Sequence, residues 1–392
     1  MKKKILFVIP SLQAGGGEKS LINLLHTIDF NKFKVDLVLL NKSGIFLKLV
    51  PSQVTIITLN DDYNTFVKSI FLSVIGFIKQ GKISLAISRI LFTINNNFIK
   101  NLGKSEQKSW KYLSKSITKL PTQYDTAIGF LEKSSIYFAV DCASAKKKIG
   151  FIHNDYTKLD LDASFDAKYF HVLTTIATVS EECAAVLKKT FPSQSNKVEV
   201  IYNIVSSAII TKLANDKIEI DQSQPILLSI GRLHAQKGFD FAIDSAQILK
   251  QNKVPFKWLI IGEGAERISL EKAIHEKDLK ENFILLGLKE NPYPYLKAAT
   301  IYVQPSRYEG KSIAIDEAKI LNKPILVTNF STAKDQISDT LNGLIVAIDA
   351  VSIANGIQHL LENETLRHTL SSNLKKEELG TESEIDKLYS FL

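Results

Sequence analysis

At 392 residues, with 45% apolar and 23% charged side chains, the chain is too long for one typical core and fits a globular protein of two domains. Its only cysteines, Cys142 and Cys183, lie far apart without ligand-like neighbours, which excludes a disulfide scaffold or zinc site and suits a reducing cytosol. The net charge of +8 is uneven: residues 1–200 hold 27 Lys and Arg against 16 Asp and Glu, the remainder 22 against 25, so the first half is expected to meet something anionic.

The opening Met1-Lys2-Lys3-Lys4 and the apolar run after it superficially resemble a secretion signal. The run ends within about five residues, without a cleavage-like pattern, and reads better as a buried first strand. No run reaches the ~18 apolar residues of a membrane span. Short apolar runs then alternate with amphipathic stretches, the pattern of parallel sheets wrapped by helices. Strands are expected near residues 5–9, 35–40, 54–59, 126–130, 148–152, 177–179 and 198–202. The pattern restarts near 226–230, 257–261, 283–286, 301–303, 324–327 and 344–346. The polar stretch 205–224 reads as a linker. The expected fold is α/β, with two facing Rossmann-like, doubly wound domains, residues 1–205 and 206–375, a cleft between them, and a C-terminal helix in 376–392 packing back towards the first.

Residues 63–119 interrupt this rhythm. The segment has apolar clusters and ten basic residues, with Glu106 as its only acid. Basic amphipathic helices of this kind can lie on an anionic membrane surface. The competing reading is an insertion whose apolar face packs on the first domain while its lysines are solvated.

Several loops carry candidate chemistry. Gly15-Gly16-Gly17-Glu18-Lys19 opens a helix but lacks the third glycine of a dinucleotide fingerprint, since position 20 is serine. His153, at a strand end, can donate to a sugar hydroxyl or phosphate, although a lone histidine is more often structural. Asp160-Leu161-Asp162 resembles a metal-holding DxD element but is short and common by chance. Gly231, Arg232, Lys237 and Gly238 follow a strand as a phosphate grip, with glycines for close approach and two cations for a diphosphate. Gly262-Glu263-Gly264 closes the next strand. Tyr308-Glu309-Gly310-Lys311-Ser312 leads into a helix bearing Glu317, with Ser312 as its expected N-cap and free backbone N–H groups suited to phosphate. An ordinary amphipathic helix with two acidic side chains is the alternative.

In this order, Gly231-Arg232…Lys237-Gly238, Gly262-Glu263-Gly264 and Glu309-x7-Glu317 resemble the retaining glycosyltransferases of family 4 with the GT-B fold. The likeness runs from the glycine loop through His153-Asn154-Asp155 and Tyr202-Asn203 to Asn342-Gly343. It implies a hexosyltransferase using a nucleotide sugar, usually UDP-linked, with no metal ion or other cofactor. Arg232 and Lys237 would stabilise the diphosphate, Glu309 would face the sugar hydroxyls and Glu317 the ribose. Gly310–Ser312 would reach phosphate or sugar, and His153 the sugar or phosphate. Gly16 and Gly17 would approach diphosphate and acceptor, with Gly231, Gly262, Glu263, Gly264 and Asn203 completing the binding set. Lys311 stands where the family often has a bulky apolar residue. It would favour an acidic sugar, add a phosphate contact, or point to solvent. Thr328-Asn329-Phe330-Ser331-Thr332 replaces a glycine-rich loop. The implied acceptor is a lipid-linked or polymeric glycan of the cell envelope, such as a capsule precursor. The implied location is cytoplasmic, peripheral on the inner membrane face, with no nucleic-acid partner. The other readings are a non-catalytic GT-B protein that binds glycans or supports a partner, and a nucleotide-sugar epimerase of the same fold.

Overall fold

The computed structural model describes residues 2–13 and 15–392. The chain divides into two compact units: Met1–Gln13, Leu24–Tyr202 and Glu384–Leu392 in the first, Ala14–Asn23 and Asn203–Ser383 in the second.

The first unit is built on β1 (Lys3–Ile9), β2 (Phe33–Leu39), β3 (Thr55–Ile57), β4 (Gln123–Gly129), β5 (Ser144–Ile152), β6 (Thr175–Thr178) and β7 (Val198–Val200). They form one parallel sheet in the order β3-β2-β1-β4-β5-β6-β7. The second unit repeats the design with β8 (Ile226–Ile230), β9 (Lys257–Ile261), β10 (Phe283–Gly287), β11 (Ile301–Gln304), β12 (Ile325–Thr328) and β13 (Leu344–Val346), ordered β10-β9-β8-β11-β12-β13. All thirteen expected strands are present. Both sheets reverse their winding at a single place, between β1 and β4 and between β8 and β11. In such sheets, ligands bind outside the carboxyl ends of the strands at this reversal.

Burial on both faces explains why these strands are legible as unbroken apolar runs. In the second sheet, Leu227, Trp258, Ile260 and Val303 belong to the core on one face. Their neighbours Ile226, Leu228, Leu259 and Tyr302 belong to the other, the two-residue alternation of a strand. The large Trp258 ring is fully buried, and its indole N–H donates to Ser229 Oγ at 3.0 Å. The Ser229 hydroxyl in turn donates to the Val303 carbonyl at 2.6 Å, so this polar pair inside the core is satisfied.

Stretch 205–224 is not a bare connector. It contains the helix Ser207–Leu213, which buries Ile210 in a small core with Val205, Tyr293, Ile313 and Ile320. At the other end of the chain, the helix Glu384–Phe391 lies in the first unit, where Tyr389 stacks on Phe33 with ring centroids 4.9 Å apart. The Tyr389 hydroxyl accepts the Asp29 N–H at 2.7 Å. Segment 63–119 is helical: Ile70–Lys79, Ile83–Phe98 and Leu102–Leu113 follow the short helix Asp61–Phe66. Replacing Trp258 by alanine should lower the stability of the second unit by about 3–5 kcal/mol, read as a shift in its urea midpoint at unchanged slope.

Candidate functional site

Three loops meet at the reversal point of the second sheet. The loop after β8 carries Gly231, Arg232 and Lys237; the one after β9 carries Gly262-Glu263-Gly264; the one after β11 leads through Glu309 to the helix Ile313–Ile320. They are locked backbone to backbone. A Cβ on Gly262 would stand 1.9 Å from the Gly231 carbonyl oxygen. Gly238, at φ +65°, would bring one to 2.0 Å from the Pro305 carbonyl oxygen. At both positions glycine is required by close approach.

Glu309 is buried, and one of its oxygens is heavily engaged. Oε1 receives Lys237 Nζ at 2.7 Å, Ser306 Oγ at 2.6 Å and Gln304 Nε2 at 3.0 Å. Among the described residues Oε2 receives only a long 3.5 Å contact from Gln236 Nε2. Glu317, 1% exposed, is held likewise: Lys19 Nζ and the Tyr293 hydroxyl, the latter at 3.0 Å, both approach its Oε1. Lys19 and Glu317 fall within the same compact unit. Burial alone would lower the Lys19 pKa, but Glu317 and Tyr293 outweigh it and raise it, so the ammonium stays charged. Burial pushes the Tyr302 phenol far up, with Glu309 and Glu317 adding to the effect. Each carboxylate is thus fixed through its Oε1.

The helix entry differs from expectation. Ser312 does occupy the N-cap position, but its hydroxyl makes no capping bond. Instead its backbone N–H donates to Gln336 Oε1 at 2.8 Å, while Gln336 Nε2 donates to the Ser312 carbonyl at 2.8 Å. That amide is therefore occupied by the protein itself. Lys311, half-buried, acts electrostatically on Asp316, whose carboxyl burial pushes up and Lys311 pulls back.

The remaining candidates are scattered. Arg232 is 53% exposed, with Glu18 Oε1 3.6 Å away. Glu263 pairs with Arg267 on the following helix. Gly16 and Gly17 begin the helix Gly16–Thr27, and a Cβ on Gly16 would meet nothing within 4 Å. Asn203 is buried and accepts the Ser20 hydroxyl at 2.7 Å. Asp162 caps the helix Ala163–Val172 and Asp160 pairs with Lys104 at 2.7 Å, so this DxD pair has structural partners. Among the described residues no group of three or more His, Cys, Asp or Glu is arranged to hold a metal ion.

His153 lies in the first unit at the end of β5. Its ring lies against Phe130 and Phe151, with centroids 5.0 and 5.7 Å away. Burial pushes its pKa down to about 4, against the opposing hydrogen bond to the Phe130 carbonyl. Nε2 is buried without a partner, so the bonded nitrogen is Nδ1–H and Nε2 is left as an acceptor. This reverses the donor role expected from the sequence. Beneath it, Glu132 Oε1 accepts the backbone N–H of His153 at 2.6 Å and of Asn154 at 3.0 Å.

Sequence reasoning passed over Glu132, Gln304, Ser306, Tyr293 and Gln336, and gave Lys19 of the glycine loop no role. Glu132 and Ser306 follow strands flanking a reversal point, which was the available signal. Because the folded pKa of His153 is depressed, its contribution to stability is full above pH 6.5 and is lost as pH falls towards about 4. Burial pushes the Glu132 carboxyl up, which acts in the opposite direction. The difference between wild type and His153→Phe should therefore isolate the histidine. Thermal melts across this range should show the variant losing less stability on acidification.

Residues 211–377 match the family model described as Glycosyl transferases group 1. A glycosyltransferase of Methanocaldococcus jannaschii is 30% identical over 176 residues, 43% of this chain and 43% of that protein. The N-acetylgalactosamine-N,N'-diacetylbacillosaminyl-diphospho-undecaprenol 4-alpha-N-acetylgalactosaminyltransferase of Campylobacter jejuni is 29% identical over 191 residues, 48% of this chain and 51% of that protein. The chain thus spans about half the length of these curated relatives. Over nearly full length, the structure of Anabaena HepE in complex with UDP and glucose superposes with a TM-score of 0.69 at 15% identity, covering 99% of this chain and 98% of that one. The likeness over residues 211–377 is to the group 1 glycosyl transferases, and the chain carries the GT-B fold.

Proposed function

We propose that this protein is a retaining glycosyltransferase that moves a hexose from a nucleotide sugar, UDP-linked, to a glycan or lipid-linked glycan acceptor in cell-envelope polysaccharide synthesis. The observation that carries this reading is the pair of buried carboxylates, Glu309 and Glu317, each anchored through Oε1. Sugars and ribose present the hydroxyl donors that carboxylate oxygens accept. Glu309 takes the sugar hydroxyls, and Glu317 those of the ribose. The diphosphate goes to Lys237 and Arg232, with Lys237 exchanging part of its bond to Glu309 for phosphate oxygens. These cations do the electrostatic work that a metal ion does in other transferases. The acceptor class follows the Campylobacter relative, whose name specifies a diphospho-undecaprenol-linked substrate.

In the reaction, the bond from the anomeric carbon to the diphosphate oxygen breaks with its electron pair leaving on the phosphate. The acceptor oxygen bonds to that carbon on the same face, and its proton passes to the departing phosphate oxygen. No separate general base is required. His153, neutral above about pH 4 and with Nε2 as acceptor, suits a sugar hydroxyl better than phosphate, which has only acceptor oxygens.

Lys237→Ala should lower transfer from a UDP-sugar by about 10²–10³-fold while leaving the circular dichroism spectrum unchanged; activity within a few fold of wild type would remove the phosphate assignment. Glu317→Gln keeps the shape but loses the charge. It should weaken UDP binding about tenfold in calorimetry, and an unchanged affinity would contradict the ribose role. Chelator should leave turnover unaffected, and NMR of the product should show the donor's anomeric configuration.

A further inference from the structure

The helical insertion of the first unit has one face anchored and another open. Phe66, Phe77 and Ala86 form a small core of its own, joined by Phe92. Arg89 is drawn into this inner side, donating to the carbonyls of Phe66 at 2.8 Å and Lys68 at 3.0 Å. The next helix, Leu102–Leu113, is tied inward as well: Trp110 is buried, and its indole N–H donates to Asp141 Oδ2 at 2.7 Å.

The opposite side of Ile83–Phe98 is apolar and uncovered. Ile83, Ile87, Ile90, Leu91, Ile94 and Phe98 are all exposed, and their spacing places them on one stripe about 100° wide. The preceding helix adds Phe71 and Leu72, at 71% and 60% exposure, and Phe98 reaches 82%. An insertion folded only to cover the first unit would turn this stripe inward. Exposed Lys68, Lys79 and Lys100 stand at the ends of the two helices, and Glu106 is the only acid in 63–119. Among the described residues no helix is long and apolar enough to cross a membrane.

We propose that the outer face of Ile70–Lys79 and Ile83–Phe98 seats the protein on an anionic lipid leaflet, its aliphatic stripe inserted among acyl chains and its lysines among headgroups. Charge decides between a membrane and a second copy of the chain. A two-fold contact would set this lysine-rimmed patch against itself, cation to cation, whereas an anionic leaflet complements it. The sequence pointed to the whole segment 63–119; the exposed apolar surface lies within 70–98, and apolar insertion is its main element.

Flotation of the intact chain with vesicles of phosphatidylglycerol and phosphatidylcholine tests this. Wild type should float, and should retain part of its binding in about 0.5 M salt, where the Debye length shrinks to a few Å. The combined variant Ile87→Ser, Leu91→Ser and Phe98→Ser should bind at least about tenfold more weakly. Lys68→Gln with Lys79→Gln should weaken binding a few fold on these vesicles and little on phosphatidylcholine alone. Circular dichroism unchanged in both variants would exclude misfolding, and failure of UDP binding in all three proteins would bear on the donor reading alone. Absent flotation of wild type, complete release by salt, or undiminished flotation of the serine variant would each overturn the proposal. So would a concentration-dependent dimer in light scattering that the serine variant abolishes, since it would assign the face to a second copy.

Discussion

A buried carboxylate is costly unless its charge is met by donors, and this constraint organises the second unit around Glu309. Lys237 and Ser306 reach the same oxygen from two different loops, and Gln304 from the end of β11. Those loops are brought together because β8 and β11 are neighbours in the sheet although they are far apart in sequence. The Rossmann order, the two glycine contacts and the ion pair are therefore one arrangement seen at three scales. Strand order sets which loops meet, glycine lets their backbones close, and the carboxylate fixes the side chains that converge.

The two units use the same strand order for different ends. In the second, the reversal point is filled with charged and amide groups. In the first, the corresponding positions carry Glu132 and, one strand further, a neutral His153 packed against two aromatic rings. One set is charged, pairing carboxylates with ammonium and amide groups. The other is backed by apolar rings.

The fold was legible because doubly covered parallel strands must be apolar on both faces, and short apolar runs survive in the sequence as such. Glu309, Glu317, Lys237 and the glycines could be found because each sits at a punctuated strand end. Their partners could not. Gln336 clamps Ser312 from 24 residues away, and Lys19 meets Glu317 across most of the chain. Nothing in local pattern marks such pairs, since the register between distant loops is set by sheet order. The stripe in Ile83–Phe98 was visible as periodicity, but which way it faced was decided by the small aromatic core behind it.

The glycine contacts bear on how this architecture can vary in length. With the Gly231 carbonyl seated against Gly262 and the Pro305 carbonyl against Gly238, the three strand-end loops form a bracket with fixed spacing. An added residue in 231–238 or 305–312 would have nowhere to bulge without parting two backbones. The turn at 288–292 contains no glycine and is tied instead through a side chain, Asn291 donating to the Leu213 carbonyl at 2.9 Å. Natural or engineered change in loop length should accumulate there, leaving diversification of the bracket to side-chain exchange at positions such as Lys311.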